Sequence, residues 1–336
     1  MAEDRRALIL GVTGQDGAYL AAAMRRRGYT VAGLAQTEAD NELQSWLANV
    51  RLLNGDLRDE VSISSALDAA DPDIVVNLAG ISSVSASWAD PELVTAVNAV
   101  GVLTVLERIR RRQDKVGRQI RFLQASSAEI FGHPLEIPQR ETTRLAPRNP
   151  YGVAKAFAHE MTAIYREAHG MHASTVVLFN HESPLRPDSF VTRKITKAAA
   201  RIATRGGEAL VLGNLDAGRD WGFAGDYVEA MVLALEQESP GDYVVASGEL
   251  HSVREFAGRA FLQAGISDWE AWVRSDPALT RPLDAPVLIG DATKAREQLG
   301  WRPQVDFGDL VAGMVDFDLA LAQGKRPTAR LLPRLD

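Results

Sequence analysis

In the first half of the chain, short unbroken apolar runs alternate with amphipathic stretches, and this alternation restricts the fold more than any other feature. The runs ALILG (7–11), YTVAGL (29–34), VRLLNGDL (50–57), DIVVNLAG (73–80) and IRFLQASS (120–127) are separated by YLAAAMRRRG (19–28), VSISSALDAA (61–70) and VTAVNAVGVLTVLERIRRR (94–112). A strand that is apolar without alternation is buried on both faces, which requires a parallel sheet between two layers of helix. The expected fold class is α/β, a doubly wound parallel sheet. Beyond about residue 180 the runs shorten, and prolines stand at 184, 187, 240, 277, 282, 286 and 303. That half reads as a smaller C-terminal α/β domain laid over the carboxyl edge of the sheet, where ligands bind in such folds. The expected division is 1–179 and 180–336, with some segments of the second part, about 220–248, packing back onto the first.

Composition narrows the chemistry. With 46% hydrophobic and 24% charged residues among 336, the chain has ordinary globular proportions. A net charge of -7 gives no footprint for nucleic acid or an anionic membrane, so neither is an expected partner. There is no cysteine, and the six histidines show no metal-ligand spacing. Disulfides, thiolate chemistry and a metal site are therefore not expected, and a redox step must borrow a cofactor. The run Ala7 to Leu10 is too short for a signal peptide or a membrane span, so a cytoplasmic location is expected.

The first run ends in Gly11-Val12-Thr13-Gly14-Gln15-Asp16-Gly17 and leads straight into an amphipathic stretch. Glycines so placed allow a tight turn, bring backbone close to a pyrophosphate and seat it on a helix N-terminus, although a plain glycine turn has the same pattern. Asp56, just before Leu57, stands at the same edge and suits either an adenine amino group or a helix N-cap. Tyr151 and Lys155 lie four apart in a helix opened by Asn149-Pro150, which puts them on one face. A cation beside a phenol lowers its pKa toward that of a usable base; a surface cation-aromatic pair has the same spacing. The strand IRFLQA delivers Ser126, Ser127 and Glu129 to the same edge, where hydroxyl and carboxylate would meet a substrate; each alone also suits a turn or helix start. Asn180, Lys194, Arg219 and Arg281 lie on later turns, and cations there suit a diphosphate or surface salt bridges.

The segments GVTGQDGAYL (11–20), SSAEIFG (126–132), NPYGVAK (149–155), LFNHESPLRP through FVTRKIT (178–196) and GNLDAGRDWGFAGDYVEAM (213–231) resemble the GDP-mannose 4,6-dehydratase family. That family belongs to the extended short-chain dehydrogenase/reductase superfamily. The glycine and Tyr-Lys motifs are common to the superfamily, whereas NHESP with FVTRK and GNLDAxRDWG is close to diagnostic of the family. The resemblance implies a Rossmann domain holding a nicotinamide cofactor, NADP in the family, a C-terminal domain for a GDP-hexose, and a homodimer or tetramer. It implies Ser127, Glu129, Tyr151 and Lys155 as catalytic residues. Gly11, Thr13, Gly14, Gln15, Asp16, Gly17, Asp56, Leu57, Leu78 and Ala79, with Tyr151 and Lys155, would hold the cofactor. Ser82, Asn180, Lys194, Arg219 and Arg281 would hold the substrate. In the implied reaction, Tyr151 takes the proton of the carbon-4 hydroxyl as hydride leaves carbon 4. Glu129 then removes the acidified proton at carbon 5 and returns one to the hydroxyl departing from carbon 6. Hydride returns to carbon 6, giving GDP-4-keto-6-deoxy-mannose.

The residues point another way on the cofactor. Between Arg27 and Arg51 there is no Lys or Arg, yet the 2'-phosphate of NADP calls for a guanidinium. Glu38 and Asp40 would repel it, and Glu38 lies near the distance at which an acid holds a free ribose 2'-hydroxyl. NAD is therefore expected to serve comparably or better. Two other readings use the same residues. A nucleotide-sugar 4-epimerase or 4-keto reductase would share Tyr151 and Lys155; Glu129 separates a dehydratase from the epimerase but not from the reductase. A non-catalytic dinucleotide-binding protein has no need for the Tyr-Lys pair, the glutamate and the diphosphate cations together.

Overall fold

The computed structural model describes residues 5–36, 45–279, 287–327 and 330–333. Glu38, Asp40 and Arg281 lie outside the described residues.

The five apolar runs form β1 (Arg6–Leu10), β2 (Thr30–Ala35), β3 (Arg51–Asn54), β4 (Ile74–Asn77) and β5 (Arg121–Ser127), and a stretch that the apolar pattern does not mark forms β6 (Ala173–Leu178). Later strands are shorter: β7 (Asn180–Glu182), β8 (Leu210–Leu212), β9 (Gly218–Arg219), β10 (Trp221–Phe223) and β11 (Asp242–Val245). Between them run α1 (Gln15–Arg26), α2 (Glu60–Ala70), α3 (Val84–Ala89), α4 (Pro91–Thr95), α5 (Gly101–Val116), α6 (Pro150–His169), α7 (Val191–Arg205) and α8 (Ala224–Glu236). The chain continues through α9 (Val253–Gln263), α10 (Thr293–Leu299) and α11 (Phe307–Ala322).

The central sheet has seven strands in the order β11-β6-β5-β4-β1-β2-β3, and every pairing in it is parallel. This is the doubly wound Rossmann arrangement. Strand order reverses between β1 and β4, and the crevice at their carboxyl ends is the place where ligands bind in such sheets. Successive strand residues serve opposite layers. Leu8 and Leu10 pack with Val75, Phe122, Leu106 and Ile109, while Ala7 and Ile9 pack with Val76, Leu123, Met24 and Met231. Burial of a Leu or Ile side chain contributes about 1.5–3 kcal/mol on either face, and the polar Asn77 and Gln124, buried on β4 and β5, are hydrogen-bonded to each other at 2.9 Å.

The stretch after residue 220 returns to this sheet. Helix α8 packs against α1, β5 and β6, and β11 is the edge strand beside β6. A further core gathers Ile195, Trp221, Phe256, Phe307, Leu310 and Met314 where α7, α9 and α11 meet. Among the described residues no helix is long and apolar enough to cross a membrane.

Candidate active site

The end of β1 passes very close to the end of β4. Gly11 has φ +81°, and a Cβ there would lie 2.7 Å from Ala79 Cα. At Gly17 a Cβ would stand 2.3 Å from the Val12 carbonyl oxygen, so α1 can sit on the turn only without a side chain. Gly14 closes the turn, its N–H donating to the Gly11 carbonyl at 3.1 Å. A Cβ at Gly14 would meet only that oxygen, at 3.5 Å, which leaves the surface of the turn open.

A cavity of about 950 Å³ extends from this turn, near the upper end of the roughly 300–1,000 Å³ usual for small-molecule sites. It brings together Gly11, Thr13, Gly14, Gln15, Asp16, Gly17, Asp56, Leu57, Leu78, Ala79, Ser82, Ser127, Glu129, Tyr151, Lys155, Asn180, Lys194 and Arg219. Beside β2 and β3 it is bordered by Gln36, Asp56 and Arg58; from the second half come Arg186, Phe190 and Asn214. Ser126 Oγ also lines it, buried and without a hydrogen-bond partner among the described residues. An orphaned hydroxyl and an open glycine turn fit a phosphate-bearing dinucleotide.

Local sequence explains how the reactive groups are held. Asn149 is extended and accepts the Gly152 N–H in its side chain, Pro150 follows at the first helical position, and α6 begins. Pro at this place costs no helical bond. Tyr151 and Lys155 then project one turn apart, both buried. Ser127 ends β5, and its Oγ accepts the Glu129 N–H at 3.3 Å, while its hydroxyl beside the Tyr151 phenol acts to lower that phenol's pKa. The Glu129 carboxylate accepts from Asn149 Nδ2 at 2.7 Å.

The lowered phenol pKa expected from the four-residue spacing is not what the geometry gives. Burial pushes Tyr151 up to about 12, and the neighbouring Ser127 hydroxyl offsets only part of that. Lys155 sits 5.8 Å from the ring centroid and donates to the Ala125 carbonyl at 2.9 Å. Burial brings its own pKa down to about 8. Spacing placed the two groups on one face, but desolvation outweighs the charge between them.

A family profile described as GDP-mannose 4,6 dehydratase matches residues 8–314. The chain belongs to this family. The GDP-mannose 4,6 dehydratase 1 of Arabidopsis thaliana is 45% identical, with 96% of this chain and 92% of the relative covered. The human GDP-mannose 4,6 dehydratase is 39% identical, over 94% of this chain and 91% of the relative. Among solved structures, the Thermus thermophilus UDP-glucose 4-epimerase in complex with NAD aligns with a TM-score of 0.81 at 27% identity, covering 93% of this chain and 98% of that one.

In this member of the GDP-mannose 4,6-dehydratase family, several side chains at the site had no role assigned from sequence. His181 Nε2 meets Asp16 Oδ2 at 2.9 Å, and Ser183 Oγ donates to Gln15 Oε1 at 2.8 Å. The NHES segment is thus tied to the glycine turn. Arg58 takes Asp56 in a fork, Nε to Oδ2 at 2.9 Å and Nη2 to Oδ2 at 2.5 Å, while Asp59, not Asp56, caps α2. Asn149 is readable as an N-cap before proline, but nothing in the sequence joins it to Glu129 twenty residues earlier.

Proposed function

We propose that the protein removes water from GDP-mannose to give GDP-4-keto-6-deoxy-mannose, with its nicotinamide cofactor regenerated in each turnover. The observation that carries this reading is the Glu129 carboxylate in one cavity with Tyr151, Lys155 and Ser127. Elimination needs an acid/base group for carbons 5 and 6 in addition to the base for the carbon-4 hydroxyl, and epimerisation has no use for it. The 39–45% identity to the Arabidopsis and human GDP-mannose 4,6 dehydratases supports the same substrate.

A bound nicotinamide supplies a reversible hydride acceptor. Gly11, Thr13, Gly14, Gln15, Asp16 and Gly17 would cradle its pyrophosphate, with Asp56, Leu57, Leu78 and Ala79 against the rest. With substrate and cofactor bound, Tyr151 would take the proton of the carbon-4 hydroxyl, with Ser127 beside both; the positive charge of an oxidised nicotinamide would join that of Lys155 in favouring the phenolate that burial opposes in the ligand-free protein. Lys155 keeps a positive charge next to the site below about pH 8. Glu129 carries the proton from carbon 5 to the hydroxyl leaving carbon 6. Lys194 and Arg219, with Asn180 and Ser82, would hold the GDP-sugar, so residues 1–179 would hold the cofactor and carry Ser82 and the catalytic groups to the sugar, and 180–336 would supply most of the substrate's binding groups.

NAD serves comparably with NADP or better. At the end of the cavity beside β2 and β3, the cation among the described lining residues is Arg58, and its charge is matched by Asp56. Dinucleotide released by acid and identified by mass tests this: stoichiometric NADP, with a lower dissociation constant for NADP than for NAD after stripping, contradicts it. A homodimer fits the exposed apolar stripe Val153, Phe157 and Ile164 on α6, where a helix facing water would be polar; sedimentation at monomer mass contradicts it. A cytoplasmic location remains the expectation.

The reaction is tested by incubating the protein with GDP-mannose. A product lighter by one water, without net consumption of dinucleotide, is expected. A product of unchanged mass contradicts the proposal.

A further inference from the structure

Glu129 comes from a single short turn (Ala128–Ile130) that follows β5, so local backbone regularity does little to aim its side chain. Its carboxylate has one hydrogen-bond donor among the described residues, Asn149 Nδ2, at 2.7 Å from Oε2. The same carboxamide accepts the Gly152 N–H at 2.8 Å through Oδ1, and Asn149 is buried. Close packing limits the freedom of both ends, because a Cβ on Gly152 would lie 2.5 Å from the Glu129 carbonyl oxygen.

We infer that Asn149 is a positioning residue whose one carboxamide both caps the helix carrying Tyr151 and aims the Glu129 carboxylate at the substrate. This rests on the dehydratase reading above. An amide is rigid, and here its oxygen is committed to the helix, so its N–H₂ points in a fixed direction. That group binds Oε2 and leaves Oε1 for the reacting proton. Being neutral, the donor orients the carboxylate without adding a counter-charge. Serine would cap the helix as well as asparagine does, but its side chain is one atom shorter than the carboxamide, so the O–H left free after accepting from Gly152 ends short of the Glu129 carboxylate that Nδ2 reaches. Aspartate would cap too, and would set a second carboxylate against the first.

These differences separate positioning from structure. Asn149→Ser should lower the melting temperature only by what the Glu129 contact is worth, since the two residues cap about equally. Its elimination should slow by about 10- to 100-fold, the scale expected for a misplaced catalytic group, with KM for GDP-mannose changed by less than about threefold. Because the step before Glu129 acts is intact, reduced-nicotinamide absorbance should build up in a single turnover. Asn149→Asp should show the same signature more severely. An Asn149→Ser protein that turns over within about threefold of wild type, without that build-up, overturns the inference. A thermal double-mutant cycle with Glu129→Ala needs no substrate: non-additive shifts support the contact and additive shifts refute it. If the wild type yields no dehydrated product, the proposed reaction fails while the cycle still decides the Asn149–Glu129 coupling.

Discussion

His181 Nε2 lies 2.9 Å from Asp16 Oδ2 while its Nδ1 lies 2.8 Å from the Phe179 carbonyl oxygen. Both partners are acceptors, so both ring nitrogens donate and the side chain is held as an imidazolium. Burial alone would drive that charge off; the Asp16 carboxylate outweighs it and raises the His181 pKa above its ordinary 6.5. Asp16 is likewise held below 3.8 in spite of burial, by His181 and then Arg186. The pair fastens the glycine turn of β1 to β7, the first strand beyond the larger sheet's β6.

Stability should follow this pair through pH. A raised histidine stabilises fully below its unfolded value and loses that contribution as pH rises through the folded one; a lowered carboxylate stabilises above its unfolded value and loses it as pH falls through the folded one. The melting-temperature gap between wild type and His181→Gln should therefore be widest at about pH 5–6. It should narrow above pH 6.5 and below pH 3.8. A gap constant across that range contradicts the imidazolium assignment.

Glu129→Gln keeps the shape of the side chain and removes its basicity. Elimination should stop while the first hydride transfer continues, so single turnover with GDP-mannose should leave reduced nicotinamide and no deoxy product. Deoxy product at near wild-type rate would remove Glu129 from the proton transfer.

Tyr151 is buried in the cavity with Ser127, Glu129 and Lys155, and burial sets its pKa at about 12 in the ligand-free protein. Ultraviolet difference titration of wild type against Tyr151→Phe should show no Tyr151 phenolate below about pH 10. Ionisation near pH 7 would mean that the Lys155 charge prevails over desolvation. Turnover of Tyr151→Phe should fall by about 100- to 10,000-fold.

Arg219 is buried on β9 with Nη1 donating to the Gly218 carbonyl at 2.7 Å, and it lines the cavity among the residues proposed for the GDP-sugar. Arg219→Ala should weaken GDP binding by roughly 10- to 1,000-fold, the scale of a lost charge-assisted contact. Collapsed turnover at unchanged KM would place Arg219 in the chemistry instead.

Strands β1, β2, β4 and β5 were legible because burial on both faces leaves an unbroken apolar run, and that is a property of composition along a few residues. Residues 50–57 give the same reading, but β3 is the sheet's edge and largely exposed, and β6, whose ASTVVL carries Ser and Thr in its first half although it is buried throughout, was not legible as such a run. Tyr151 and Lys155 were legible as neighbours for a similar reason, since helical spacing is local. The direction of the Tyr151 shift was not, because desolvation depends on what the rest of the chain stacks over the phenol. Strands of two or three residues such as β9 and β10 carry too short a pattern to read. The pairing of β11 with β6 joins Asp242 to Thr175, and the Asn149–Glu129 contact crosses a loop; both are set by tertiary packing. NHESP was visible as a motif, yet the bond from His181 to Asp16 needed the sheet to bring residues 165 apart into contact.

Transfer of hydride within one sugar is the centre of the proposed reaction, and GDP-mannose carrying deuterium at carbon 4 tests it directly. The product formed in ordinary water should be one water lighter than the substrate, with the deuterium in the new methyl group at carbon 6. A dehydrated product without that deuterium, or a sugar nucleotide of unchanged mass, would contradict an internal hydride transfer coupled to water loss.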